Sequence, residues 1–421
     1  MNTSRRRPAR PLTASEAARS PWDLLVIGAG SAGLVGARTA AALGARVLLV
    51  EAERFGGECL HTGCVPSKAL IAAAATAHAA RHGASVGVHA GEVRVDFAAV
   101  MAHVREAIRR IEPVDSPEAL ASDGVHTLAG RVRFEGPRSA VVDGRRIEFR
   151  DALIATGSAP VLPTTEGATR IDMLTNETFW DLDELPARLL IVGGGAIGCE
   201  LAQAMARLGS TVTLVHRGAR LLPKEDAAAS AVVLAALRAD GVDVHLDTEV
   251  TAFASDGTES APARSGTARL RGGVEIPFDR MLAALGRHVE ADSLGLDAAG
   301  VRRDENGAVA VDRSLRTSNP RVRAAGDATP LPRFTHTAGM YGSVAATNAV
   351  LGLSRKIDVE VVFLSTRVRR PAGDGCDSED SSSPAATRIG ATWCRGASRR
   401  AEGGACAQRF PRVPPRPRLT G

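Results

Sequence analysis

Apolar residues fill positions 22–27 (WDLLVI) and stop at Gly28-Ala29-Gly30-Ser31-Ala32-Gly33; Ala and Leu then recur at helical spacing to about residue 43, and a further run over 46–50 ends in Glu51. This pattern predicts strand, glycine turn, helix, strand. The same order returns at 189–192, Gly193-Gly194-Gly195-Ala196-Ile197-Gly198, a helix to about 208 and a strand over 211–215. Between the two units the pattern predicts helices over 66–81 and 97–111, then a strand-rich stretch ending in ALIATGS at 152–158. Residues 280–286 repeat that apolar run closed by glycine, and VRAAGD at 322–327 ends another short strand. Residues 255–273, rich in Ser, Gly, Ala and Thr, read as a hairpin loop. From 359 the apolar period is lost among Arg, Ser and Pro, which predicts a degenerate or disordered tail over 359–421. The Arg-rich residues 1–20 read as a disordered leader.

Two strand–glycine–helix–strand units predict an α/β fold with two Rossmann-like dinucleotide-binding domains. Composition agrees: of 421 residues 44% are hydrophobic but only 3% aromatic, so the core is built from Ala, Val, Leu and Ile. The net charge of +5 does not point to nucleic acid, because the excess is terminal: residues 359–421 hold eleven Arg against six acids. No stretch reaches the roughly 18 to 20 apolar residues that span a bilayer, and the leader lacks a secretory apolar segment, so the expected location is the cytoplasm.

The glycines carry chemistry. Gly28 permits a tight turn, Gly30 lets backbone N–H groups approach a pyrophosphate, Gly33 lets helix and strand pack closely, and Glu51, 18 residues beyond Gly33, can accept from ribose hydroxyls. In the second unit the acid position is replaced by His216 and Arg217, with Arg220 nearby, and cations there favour a 2′-phosphate, hence NADPH over NADH. Ordinary surface arginines are the competing explanation.

Directly after the first acid comes Gly56-Gly57-Glu58-Cys59-Leu60-His61-Thr62-Gly63-Cys64-Val65-Pro66-Ser67-Lys68. Cysteines five apart on an ideal helix diverge, so a bridge needs the bent helix start that Gly63 and Pro66 can supply. The segment reads as a dithiol alternating with a disulfide beside a flavin, or, more plainly, as two buried free cysteines.

GGECLHTGCVPSK, with a GxGxxG before it, ATG and a second GxGxxG after it, then TSNPRVRAAGD, resembles the class I pyridine nucleotide-disulfide oxidoreductases over about 22–358. Mercuric reductase, dihydrolipoamide dehydrogenase and glutathione reductase belong to that family, and LHTGCVPSKAL and FTH are most similar to the mercuric reductase-like members. The resemblance implies FAD held by Gly28, Gly30, Ser31, Ala32, Gly33, Glu51, Gly57, Thr156, Gly157, Gly326 and Asp327. It implies NAD(P) held by Gly193, Gly195, Ala196, Gly198, His216, Arg217 and Gly286. Cys64 would be the thiolate against the flavin, Cys59 the thiol that meets substrate, and Lys68 with Glu200 an ion pair where the nicotinamide docks. His336 would lie near the flavin edge or serve packing, and Cys199 would be a packing residue; no metal site is implied.

The implied domains are 21–159 and 284–358 for FAD, with 160–283 for NAD(P) inserted between them. Three departures accompany the resemblance. GRxPN reads Gly286-Arg287-His288-Val289-Glu290, which predicts a perturbed local turn. The family's C-terminal dimerisation domain, with its catalytic histidine, is expected to be missing, so the family's homodimer is not expected. The vicinal cysteine pair of mercuric reductase has no counterpart in Cys376, Cys394 and Cys406. The expected reaction passes a hydride from NAD(P)H through FAD to the Cys59–Cys64 disulfide and on to a small-molecule or small-disulfide substrate. The alternatives are an inactive flavin-binding remnant and a flavin-only NAD(P)H oxidase or quinone reductase.

Overall fold

The computed structural model describes residues 8–358, and the tail expected over 359–421 lies outside the described residues. Val125–Ala129, Val47–Glu51, Trp22–Ile27 and Arg145–Ile154 lie side by side in that order as parallel strands, with Val322–Ala324 added in parallel to the last. Ser139–Val142 and Val132–Gly136 continue the sheet antiparallel. The helices Ser31–Ala42 and Thr335–Leu351 cover one face of the parallel part, and the antiparallel strands with residues 289–311 cover the other, so Leu24, Leu25, Val26, Val47, Leu48 and Leu49 are all fully buried. This is why these strands read as unbroken apolar runs rather than as alternation.

A second sheet is wholly parallel, in the order Asp243–His245, Thr211–Val215, Arg188–Val192, Arg280–Ala283. Beside it Val250–Ala254, Gly266–Leu270 and Glu275–Phe278 form an antiparallel sheet. The loop expected over 255–273 is therefore partly wrong. Within it Ala268 and Leu270 alternate inward onto Phe253 and Phe278, a period of two that the surrounding Ser, Gly and Thr concealed.

The disordered leader is also corrected where it is described. Leu12 N–H donates to Thr127 O at 2.8 Å, and Thr13 and Glu16 form a reciprocal capping box on the helix Ala14–Ala17. Ala17 is buried, and its carbonyl accepts from Trp22 Nε1 at 2.9 Å. An apolar anchor and a cap, not composition, decide the order of this segment.

Two features position the site. The chain leaves the first sheet at Ala159–Pro160 and returns at Arg287–His288, and these short strands pair antiparallel. The helix Cys64–His82 buries Leu70 and Ala74 in the same core as Ile191, Met205 and Leu214 of the second unit. The cysteine-bearing helix is thus packed into the nucleotide-type unit by apolar contact.

Candidate active site

The first glycine turn is built by close approach. Gly28 has φ +99°, and a Cβ there would collide with the carbonyl oxygen of Ala155. A Cβ on Gly33 would in turn collide with the carbonyl of Gly28, so strand and helix meet at van der Waals distance only without side chains. At Gly30 the space is open, the nearest heavy atom to a Cβ being Gly57 Cα at 4.0 Å. Glu51 accepts from the N–H groups of Ala29 at 2.6 Å and Glu53 at 2.8 Å, which holds its carboxylate at the mouth of the turn. Gly326 abuts Ala32 at the start of the helix Ser31–Ala42.

Thr156 Oγ1 is buried with no partner, Gly157 beside it faces open space, and Asp327 accepts from Ser158 Oγ at 3.1 Å. An orphaned hydroxyl, an open glycine turn at a helix start and a placed carboxylate fit the phosphate and polyol chain of FAD.

The second turn repeats this. Gly193 packs on Ala284, next to Leu285 and Gly286, Gly195 and Gly286 face open space, and Ala196 begins the helix Ala196–Leu208, in which Gly198 is buried. His216 departs from its expected part. Its Nδ1 accepts from Gly194 N–H at 3.2 Å and its Nε2 is buried without a partner, while burial holds its pKa below the usual value. A neutral ring folded beneath the turn carries no charge toward a 2′-phosphate; Arg217 and Arg220 are exposed.

The cysteines stand at a helix break. Gly57–His61 is a short helix, and Cys64–His82 starts after Thr62 and Gly63. Trp180 Nε1 donates to Thr62 O at 2.9 Å, and His61 Nε2 bonds Phe55 O at 2.7 Å, which pins the break from both sides. Cys59 and Cys64 are free thiols that hydrogen-bond one another. That bond, with a second from Thr335 and the charge of Lys68, lowers Cys64 to about 6 against the penalty of burial. The same bond and burial push Cys59 far up. The two thiols therefore stand in electrostatically unlike surroundings, which favour the thiolate at Cys64 and disfavour it at Cys59.

Lys68 Nζ meets Glu200 Oε2 at 2.6 Å, joining the cysteine helix to the second glycine helix. Cys199 is fully buried and its thiol is pushed up to about 12 by desolvation, as befits a packing residue. His336 is exposed, stacks on Phe334 and lines an open cleft with Cys59, so it is not a packing residue.

Pattern reading missed three contributors. Thr335 Oγ1 lies 3.3 Å from Cys64 Sγ across 271 residues of chain. Glu58 joins Arg287 at 2.8 Å and accepts from Asn176 Nδ2 at 3.1 Å, and burial raises it to about 7. Arg287 also donates to Ser158, at the carbonyl and, at 2.9 Å, the hydroxyl, and Arg287–His288 form a short strand paired with Ala159–Pro160 where a perturbed turn was expected.

A family model for pyridine nucleotide-disulphide oxidoreductases matches residues 22–342, well over half of the chain. The chain belongs to this family. Mercuric reductase of Streptomyces lividans is 38% identical over 351 residues, covering 81% of this chain and 72% of that one. Dihydrolipoyl dehydrogenase of Thermus scotoductus is 35% identical over 364 residues, covering 85% and 77%. Among solved structures, the HOCl-induced flavoprotein disulfide reductase RclA from Escherichia coli superposes with a TM-score of 0.71 at 27% identity, covering 82% of this chain and 75% of that one.

Members of this oxidoreductase family are FAD- and NAD(P)-dependent enzymes acting on a sulfur group, and both parallel sheets here have the matching flavoprotein fold. Among the described residues no helix is long and apolar enough to cross a membrane, and no group of three or more His, Cys, Asp or Glu is arranged to hold a metal ion.

Proposed function

We propose that this chain is an NAD(P)H-dependent reductase of a small disulfide, with Cys59 and Cys64 as its working pair. The observation that carries the reading is the placement of the two free cysteines at a helix break, with Thr335 Oγ1 3.3 Å from Cys64 Sγ and the Lys68–Glu200 pair on the same helix start. A pair that passes electrons in one direction needs one thiolate held ready and one thiol that meets substrate. Bound FAD supplies hydride acceptance from the nicotinamide and two-electron transfer to sulfur.

Around it the chain's own residues divide the work. Gly28, Gly30, Ser31, Ala32, Gly33 and Gly57 form the pyrophosphate cradle, Glu51 takes the adenosine ribose, and Thr156, Gly157, Gly326 and Asp327 take the polyol side. Gly193, Gly195, Ala196, Gly198 and Gly286 hold the nicotinamide dinucleotide. Lys68, fixed by Glu200, supports the Cys64 thiolate by charge, and Thr335 supports it by a hydrogen bond. NADPH is the preferred donor in this reading, on Arg217 and Arg220, whose exposed guanidinium groups suit a 2′-phosphate.

An anaerobic titration of the FAD-reconstituted chain with NADPH, and with NADH alongside, tests the proposal. The expected result is a long-wavelength thiolate–flavin band with two new titratable thiols at two-electron reduction, both lost in Cys64→Ser. Flavin that bleaches without new thiols would overturn it in favour of a flavin-only reductase, and failure to retain flavin in favour of an inactive remnant.

A further inference from the structure

Glu58 is the one acid inside the segment Gly56–Lys68 that carries both cysteines, and it is held from two directions. Asn176 Nδ2 donates to its Oε1 at 3.1 Å, and Arg287 Nη2 meets its Oε2 at 2.8 Å. These partners sit on the two crossings between the units. Asn176 lies on the outgoing stretch, two residues beyond Leu174, whose N–H donates to Met281 O at 2.8 Å on the strand Arg280–Ala283 of the second sheet. Arg287 lies on the returning strand, paired with Ala159–Pro160. Asn176 is 6% exposed and the Arg287 side chain 11%, so both are fixed by their own surroundings. The Trp180 indole that holds Thr62 also donates to Asn176 O, at 2.8 Å. Glu58 thus ties the cysteine loop to the joint through which the chain enters and leaves the second unit.

Among the described residues, the cation facing Glu58 is Arg287, and three groups of the opposite sign face it as well. They are Asp327 after the strand Val322–Ala324, Glu177 beside Asn176, and Cys64 at the start of its helix. Burial, with those three charges added, pushes Glu58 up to about 7 against the pull of Arg287. Cys64 carries charge only as a thiolate, and a disulfide has none. Reduction of the pair therefore adds a negative charge among the groups that act on Glu58, and interacting groups bind protons together.

We infer that Glu58 is a positioning residue that takes up a proton as the Cys59–Cys64 disulfide is reduced, so that the redox state of the pair sets the charge at the joint between the two units. The inference rests on the proposed dithiol reading and goes beyond it. In the step NAD(P)H supplies two electrons and one proton, the S–S bond breaks, Cys59 takes the proton and Cys64 keeps the negative charge. The Glu58 carboxylate then binds one proton from solvent, and its ion pair with Arg287 becomes the weaker contact of a neutral acid with a cation. When the disulfide closes again, that proton returns to solvent.

The test reduces the FAD-loaded full chain anaerobically with one equivalent of NADPH at pH 7, in weak buffer with a pH-indicator dye. Wild type should take up roughly a quarter to a half of a proton per pair more than Glu58→Gln, because the amide binds none. Equal uptake overturns the inference. An infrared difference spectrum gives a second reading: reduction of wild type should raise a protonated-carboxyl C=O band, and Asn176→Ala, which removes the donor to Oε1, should move it. A spectrum without that band, or a band indifferent to Asn176→Ala, overturns the inference even if Glu58→Gln does not fold. The thiol count after NADPH addition separates the two proposals. Without new thiols both fall; with new thiols and equal uptake, only the role of Glu58 falls.

Discussion

At the scale of single residues, the proposed chemistry rests on how two identical side chains are made unequal. Cys64 sits where the hydrogen bond from Cys59, the Thr335 hydroxyl and the Lys68 charge all favour the thiolate, whereas Cys59 faces the cost of burial with a thiolate already beside it. Because the Cys64 pKa is lowered, its reactive form is present above about pH 6 and is lost as pH falls through that value. The iodoacetamide alkylation rate of the reduced protein should therefore rise with a midpoint near 6, and in Cys64→Ser that midpoint should vanish. Lys68→Ala should raise the midpoint by about half a unit, a small shift because Lys68 is 39% exposed and screened by water. The cysteines and the lysine were readable as a motif. Thr335 was not, since nothing in the sequence around it announces a contact made across 271 residues. Glu58 was visible inside the motif, yet its pKa is raised by burial, with the charges of Asp327, Glu177 and Cys64 adding to the effect and that of Arg287 opposing it, groups that only the folded chain brings together.

At the scale of elements, apolar runs and glycine turns translate almost directly into strands and helices. The helices Phe97–Ile111 and Ala196–Leu208 and the strand Thr211–Val215 lie where periodicity put them, because each has a clear start, a clear stop and one dominant period. Failure came where composition outweighed period, at Gly266–Leu270 and at Ala14–Ala17. The first glycine turn gives a prediction. With Gly28 at φ +99° and its missing side chain pressed on the Ala155 carbonyl, Gly28→Ala should cost about 1 to 3 kcal/mol and weaken flavin retention. Thermal unfolding together with the flavin-to-protein absorbance ratio checks it; unchanged values in both would remove the close approach from the account.

At the scale of the whole molecule, the two units are joined by a polar contact as well as by apolar packing. Asp240 accepts from Gln203 at 2.6 Å, pairs with Arg207 at 2.8 Å and meets His78 of the cysteine helix at 3.2 Å, with its side chain 2% exposed and that of Arg207 4%. Removing one partner of such a pair leaves a buried charge uncompensated, so Asp240→Ala should destabilise the protein by about 3 kcal/mol or more, read from the denaturation midpoint. Asp243→Ala, on a 64% exposed side chain in the same unit, should change stability by less than about 1 kcal/mol.

Local pattern was enough for the two glycine-turn units and for most of the helix Cys64–His82, expected over 66–81, because these follow from period and glycine geometry. The folded chain was needed to show that Thr335 reaches Cys64, that His216 turns under its loop, that Arg287 is held in a strand, and that Arg38 is already paired with Asp115 and Asp123. Each of those outcomes depends on burial and on partners distant in the chain, and electrostatics between such partners is set by their separation in space.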